Sequence, residues 1–213
     1  MIDVKRGLLI MISNRQSKNI KSKNSFKNQL YIIVGIILSV IINDKLIYPV
    51  WIQKLNYENN IIIKISFISL VAFTIYIALN VLIDKEKTFK YIDGFIIVYI
   101  LFLIAITFFK AKLHYHSYII NPIDSFMEIK RDKLGGIINI FGNILMYVPI
   151  GVYIKEKLNP RNNIAILCFV IYITSVEIVQ SITRTGTCDT NDIIMNTLGF
   201  IIGISIYNKY KKI

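Results

Sequence analysis

The sequence has 213 residues, of which 54% are hydrophobic and only 18% charged, and its formal net charge is +12. Soluble domains have about a quarter of charged residues and interrupt their apolar segments more often. Here the apolar residues form long blocks, and the Lys and Arg residues flank these blocks instead of forming one patch. The composition therefore predicts an all-α, polytopic transmembrane helical bundle of about six helices in a lipid bilayer, and it argues against nucleic-acid binding.

The first 90 residues predict a basic arm followed by two accessory transmembrane helices. Residues 1–28 are rich in Lys and Arg and are expected to form a cytoplasmic arm. Within residues 29–90, the first helix is predicted over about 30–50, with Pro49 helping to end it. The second, Ile61–Ile83, is long enough to span the bilayer. If the first helix does not cross the membrane, the orientation of every later segment inverts.

Residues 91–207 are predicted to form the larger domain. Its four helices are expected over Tyr91–Phe109, Leu134–Ile154, Ile164–Ile182 and Asp192–Tyr207. A connection over 110–133 mixes aromatic, Pro and charged residues, as an interfacial or re-entrant segment does. Residues 208–213 predict a basic cytoplasmic tail. With six helices both termini are cytoplasmic, and most of the 25 Lys and Arg residues then lie on that side of the cell membrane.

Polar side chains inside the last three predicted helices are the main indication of a site, because such groups in a membrane normally face a partner or a water-filled cavity. Asn139 and Asn143 lie about 40° apart around their helix. Glu177, Gln180 and Arg184 fall within about 60° of one another on the next helix. In the six-helix topology both groups lie at the level where the last helix begins. The pattern predicts a polar cluster at the outer membrane face.

The last predicted helix carries a polar face that continues into a small-residue motif. Asp192 and Asn196 share this face with two glycines in a GxxxG pattern, which permits close approach of helix backbones. The face is therefore expected to turn toward other helices and away from lipid. A proline in the fourth helix is expected to kink it, and a glycine two residues later accommodates the bend. The residues predicted to act in helix packing are Pro149, Gly151, Gly199 and Gly203.

Three segments of the chain resemble the VanZ-like membrane proteins. Residues 137–154, IINIFGNILMYVPIGVYI, resemble the family's Asn and Pro-hydrophobic-Gly segment, and residues 174–203 resemble its more specific second signature. That signature supplies Glu177, Gln180, Arg184, Asp189, Asp192, Asn196, Gly199 and Gly203 in the expected order and spacing. IINPIDSF at 119–126 is a looser match to an upstream element, because Ile123 follows the proline where an aromatic residue is common. The resemblance covers roughly residues 91–207.

The resemblance implies an association with resistance to the glycopeptide teicoplanin, without an established biochemical activity. It suggests an outer-face polar cluster that engages an envelope lipid, a cell-wall precursor or the drug. Teicoplanin carries an acyl tail, so interference with its membrane anchoring is chemically reasonable. The residues predicted to bind the ligand are Glu177, Gln180, Arg184, Asp189, Asp192, Asn196, Asn139 and Asn143.

Other interpretations of these polar residues stay open. Glu177 and Arg184 could equally form an ion pair that fixes helix register, or hold a charged headgroup with Arg184 as anion clamp. A membrane enzyme acting on a lipid-linked substrate would use Glu177 or Asp192 as acid or base, with Arg184 stabilising a phosphate. A structural protein would instead assemble with another membrane protein through the GxxxG face. No strong catalytic motif decides between them.

No metal or cofactor is predicted. Asp189 and Asp192 are a thin ligand set for a divalent cation, and capping of the last helix by Asn191 or Asp192 is favoured. His114 and His116 lack further zinc ligands nearby in sequence, so packing at the membrane interface is favoured for them.

Overall fold

The computed structural model describes residues 26–45, 61–84, 91–109, 118–119 and 133–211. Its helices are α1 Phe26–Lys45, α2 Ile61–Asp84, α3 Ile92–Phe108, α4 Lys133–Leu158, α5 Asn162–Thr183 and α6 Thr190–Tyr210. Two short strands, β1 (Tyr118–Ile119) and β2 (Cys188–Asp189), pair in parallel. The predicted all-α fold is confirmed, and every predicted helix has its counterpart. The expected roles of Pro49, His114 and His116 lie outside the described residues.

The helices are suited to a bilayer. Within the described residues, four are long and apolar enough to cross a membrane, namely α1, α2, α4 and α5. The apolar helix α3 has only 17 residues, and α6 has 21 but is more polar at both ends. Large apolar side chains such as Ile97, Leu101 and Leu167 are exposed on the helix surfaces, which is the arrangement expected where lipid replaces water. The protein is therefore membrane-embedded, while the count of six spans stays a prediction.

Helices α4 and α6 approach so closely that their backbones touch. Gly199 and Gly203 lie against the backbone carbonyls of Ile144 and Val148, and Gly151 lies against the backbone of α6; a Cβ at any of these glycines would overlap the facing chain. The GxxxG face is thus covered by α4 of the same chain. Because the glycines are used in packing within the chain, the structure gives no support to the interpretation in which that face binds another membrane protein.

Helix α4 continues through Pro149 and ends nine residues later at Leu158. One turn before the proline, Tyr99 of α3 donates a hydrogen bond to the backbone carbonyl of Met146 at 2.7 Å. Proline is tolerated inside membrane helices where neighbouring groups satisfy the backbone around it. The predicted kink stays a prediction, whereas Gly151 serves close packing against α6.

Aromatic rings join α4, α5 and α6 into one core. Phe169 stacks on Phe200 with ring centroids 4.2 Å apart, and Tyr147 meets the Phe169 ring edge-on at 5.2 Å. Of the two predicted accessory helices, α2 packs on α3 through Phe67 and Phe102. Their separation from the larger domain stays a prediction.

The contacts fix the helix directions and give the bundle two different ends. Helices α4 and α6 run parallel, while α3 and α5 run opposite to them. We call the end where α3 and α5 finish and α4 and α6 begin the polar end; it contains Thr107, Gln180 and Asp192. The opposite end, with Asp93 and Lys157, is called the basic end.

Candidate functional site

A polar cavity of about 80 Å³ lies at the polar end, among α3, α4, α5 and α6. Helix ends meet at this cavity because the antiparallel arrangement brings the end of α5 beside the starts of α4 and α6. Six of the eight residues predicted to bind a ligand line this cavity. They are Asn139, Asn143, Glu177, Gln180, Asp192 and Asn196. The structure thus brings together amides and carboxylates from three separate segments of the sequence.

A short hydrogen bond links the two glycine-packed helices inside the cavity. Asn143 donates through Nδ2 to Oδ1 of Asp192 at 2.6 Å. Asn143 projects from the middle of α4, and Asp192 lies in the first turn of α6, where a negative charge also interacts favourably with the helix dipole. This pair therefore sets both the register of α4 against α6 and the position of one carboxylate.

The second carboxylate, Glu177, is buried with 3% of its surface exposed. Its Oε2 accepts a hydrogen bond from the backbone N–H of Asp189 at 3.3 Å. Asp189 does not line the cavity; its Oδ1 accepts from the backbone N–H of Asn191 at 2.8 Å and so caps α6. The prediction that Asn191 or Asp192 caps this helix is wrong. Because α6 begins at Thr190, the capping position falls on residue 189.

Arg184 does not line the cavity. It ends α5 in the left-handed conformation with φ of 60°, and its side chain is exposed. A non-glycine residue in this conformation costs roughly 1–2 kcal/mol, so the surrounding turn must hold it there. Its backbone N–H donates to the Ser181 carbonyl at 3.2 Å, which closes the helix. The expected role of Arg184 as an anion clamp inside the polar cluster is therefore not supported by its position.

Gln180 and Asn196 complete the polar lining. Gln180 donates through Nε2 to the backbone carbonyl of Thr107 at 3.1 Å, which ties α5 to the end of α3. Asn196 is only 5% exposed, and no partner within the described part of the chain bonds to its Oδ1. A buried oxygen in that state carries the full cost of desolvation until a donor reaches it.

Thr107 and Tyr147 also line the cavity, and sequence reasoning missed both. Thr107 uses its backbone carbonyl, which every residue type has, so no signal for it exists in the sequence. Tyr147 had a signal, since its hydroxyl lies in an apolar segment two residues before Pro149. No group of three or more His, Cys, Asp or Glu side chains suited to a metal ion occurs in the described ranges.

Comparison with known proteins gives a family and one relative. The VanZ/LLP1 family model matches residues 95–211, which include all four helices around the cavity except the first turn of α3. Protein VanZ of Enterococcus faecium is 24% identical over 120 residues, an alignment that covers 56% of this chain and 74% of the relative. No solved structure matches.

Proposed function

The chain belongs to the VanZ/LLP1 family of membrane proteins, and from this premise we propose that it lowers susceptibility to lipid-tailed glycopeptide antibiotics such as teicoplanin. The polar cavity is the part that engages an envelope lipid, a cell-wall precursor or the drug. The observation that carries this proposal is the convergence of six polar side chains on one cavity in an apolar bundle. Packing alone needs no such lining, because buried polar groups are costly unless they meet a partner.

The proposal includes a multi-pass topology with six spans, both termini in the cytoplasm and the cavity at the outer face of the membrane. The distribution of charge supports this orientation. Among the described residues of α4 to α6, five basic residues lie at the basic end, namely Lys155, Lys157, Arg161, Lys209 and Lys211, against Lys133 and Arg184 at the polar end. Excess Lys and Arg favours the cytoplasmic side, which leaves the polar end facing outward. There the cavity meets the leaflet into which an acylated glycopeptide inserts its tail.

A second candidate is an enzyme that acts on a lipid-linked substrate. The observation in its favour is that two carboxylates from different helices, Glu177 and Asp192, line the same small cavity. A carboxylate pair can serve as acid and base. The phosphate-stabilising role expected of Arg184 has no support from its position outside the cavity, so this candidate ranks second.

The test replaces the two carboxylates singly by their amides, Glu177→Gln and Asp192→Asn, in a host that lacks its own copy. Membrane abundance, teicoplanin susceptibility and lipid composition are measured in the same cultures. Asp93→Asn is the matched control, since it makes the same chemical change on an exposed carboxylate at the basic end.

We expect both cavity variants to reach normal abundance and to lose protection, while Asp93→Asn keeps it. Normal abundance with unchanged susceptibility in both cavity variants would contradict the proposal. Loss of the protein itself in both would indicate a structural role for the carboxylates. A change in lipid composition that depends on the carboxylates would favour the enzyme.

A further inference from the structure

The polar cavity combines two carboxylates and several amide oxygens with the amide donors of Asn139 and Asn196 and the hydroxyl of Tyr147. Its described lining contains the carboxylates of Glu177 and Asp192 and no Lys, Arg or His side chain. The amide nitrogens of Asn143 and Gln180 already donate to protein oxygens. Asn196 is 95% buried, and its Oδ1 has no hydrogen-bond donor within the described residues. A ligand that complements this lining supplies N–H groups and a positive charge.

The size of the cavity restricts the ligand group further. Its volume of about 80 Å³ is roughly half that of an engineered cavity of about 150 Å³ that binds benzene. A sugar ring does not fit such a space, whereas a protonated amine with its first methylene groups does. An ammonium group offers three donors in a compact volume, which suits the two carboxylates and the unsatisfied Oδ1 of Asn196.

An apolar groove of about 550 Å³ adjoins the polar cavity. It is lined by α3, α4 and α5 and reaches from the polar end to Leu158 and Pro160 near the basic end. The groove and the cavity share Thr107, Tyr147 and Val176 in their walls, so the two spaces are neighbours. The volume lies within the range of roughly 300–1,000 Å³ common for ligand pockets.

We propose that cavity and groove form one site for a single amphiphile, with a protonated amine as its head in the cavity and its apolar chain along the groove. This inference rests on the function proposed above and names the class of ligand. The carboxylates attract the amine and repel a phosphate or carboxylate head, which gives the site its selectivity. The apolar chain of the amphiphile contributes affinity through contact with α3 and α5.

The binding test uses the full chain purified in dodecyl maltoside and a photoactivatable hexadecylammonium with a diazirine in mid-chain. Peptide mapping is expected to place the label on segments 100–108 or 164–176, which line the groove. Glu177→Gln and Asp192→Asn should each weaken labelling about tenfold, because the amide oxygen still accepts a hydrogen bond but no longer carries the negative charge that strengthens it. Unlabelled hexadecanol should compete poorly, since it has the chain without the charge.

A variant at an exposed position tests the groove without endangering the fold. Cys168 and Leu167 are neighbours on α5 and both are exposed, but only Cys168 lines the groove. Cys168→Phe is expected to reduce labelling several-fold through steric overlap. The matched control Leu167→Phe should bind as the unmodified chain does.

Several outcomes would overturn the inference. Equal competition by hexadecanol or by hexadecyl phosphate would show that the head is not recognised as an amine. Equal competition by propylammonium, which has the charge without the chain, would show that the groove plays no part. The susceptibility test gives a separate result. If protection depends on Glu177 but the purified protein does not bind the amine, this inference is wrong and the proposed function stands. If the protein binds the amine but gives no protection, the proposed function is wrong and the amphiphile site stands.

Discussion

The two ends of the α3–α6 bundle use polar contacts of opposite kinds. At the polar end, Asn143 and Asp192 form a 2.6 Å hydrogen bond beside a nearly buried Glu177. At the basic end, Lys157 lies 2.7 Å from Asp93, and their side chains are 41% and 62% exposed. Both arrangements connect helices that are distant in sequence. They differ in whether solvent or protein surrounds the charge.

This difference separates the buried polar cluster, where we propose a site, from an exposed ion pair. An exposed ion pair contributes little to stability, because its partners interact almost as well with their surroundings. A buried polar network is destabilising unless its members are satisfied, and at the polar end Asn196 leaves one acceptor open. The polar end is therefore where we propose a binding site, whereas the exposed pair at the basic end needs no ligand to satisfy its charges.

The largest effect is expected when the glycine packing between α4 and α6 is disrupted, because both ends of the bundle depend on it. In Gly199→Ala the new methyl group overlaps the Ile144 carbonyl, so the helices must separate. We expect a loss of about 3 kcal/mol in the free energy of unfolding and strongly reduced membrane abundance. Thermal unfolding of the purified protein measures it. Gly142→Ala is the control, because its Cβ would meet only the end of Met146 at 3.8 Å; equal stability of both variants would contradict the close approach.

A smaller effect is expected when the two ends are altered separately. Asn143→Leu removes the donor to Asp192 within the bundle and should lower stability by about 1 kcal/mol, the usual size of such contacts between membrane helices. Lys157→Met removes the exposed pair with Asp93 and should leave the melting temperature unchanged. Comparison of the two melting temperatures tests the contrast directly. A larger drop in melting temperature for Lys157→Met than for Asn143→Leu would contradict the difference between the two ends.

The smallest effect concerns the thiol of Cys188, in β2 next to the polar end. Burial raises the pKa of this thiol, and the nearby charges of Glu177 and Asp189 raise it further. A raised pKa means less thiolate at neutral pH, so alkylation by a water-soluble maleimide should be slow at pH 7 and accelerate as the pH rises above the usual thiol range. The Glu177→Gln variant should shift that rise to lower pH.

This labelling is measured in a Cys168→Ser background, which leaves Cys188 as the single thiol. The same experiment tests the orientation of the polar end. Labelling of intact cells by a membrane-impermeant reagent agrees with an outward-facing polar end. Labelling only after the cytoplasmic side is opened would place that end in the cytoplasm.

The amino-acid sequence by itself determined the helical, membrane-embedded class and the identity of most of the polar residues that line the cavity. Apolar blocks of about 20 residues suffice to predict membrane helices, and α2 begins at the predicted Ile61 and ends one residue later than predicted. Polar residues three or four apart share a helix face, so Asn139 with Asn143, and Glu177 with Gln180, were predictable partners. These are local properties of one helix.

Only the tertiary structure decided which elements meet and where each helix ends. The close contact of Gly199 with the Ile144 carbonyl depends on the path of another helix, and so does the use of the Thr107 carbonyl by Gln180. The start of α6 at Thr190 gave the capping role to Asp189, and the end of α5 at Thr183 left Arg184 outside the cavity. Helix ends are set by capping and packing with the surrounding chain, which hydrophobic periodicity does not encode.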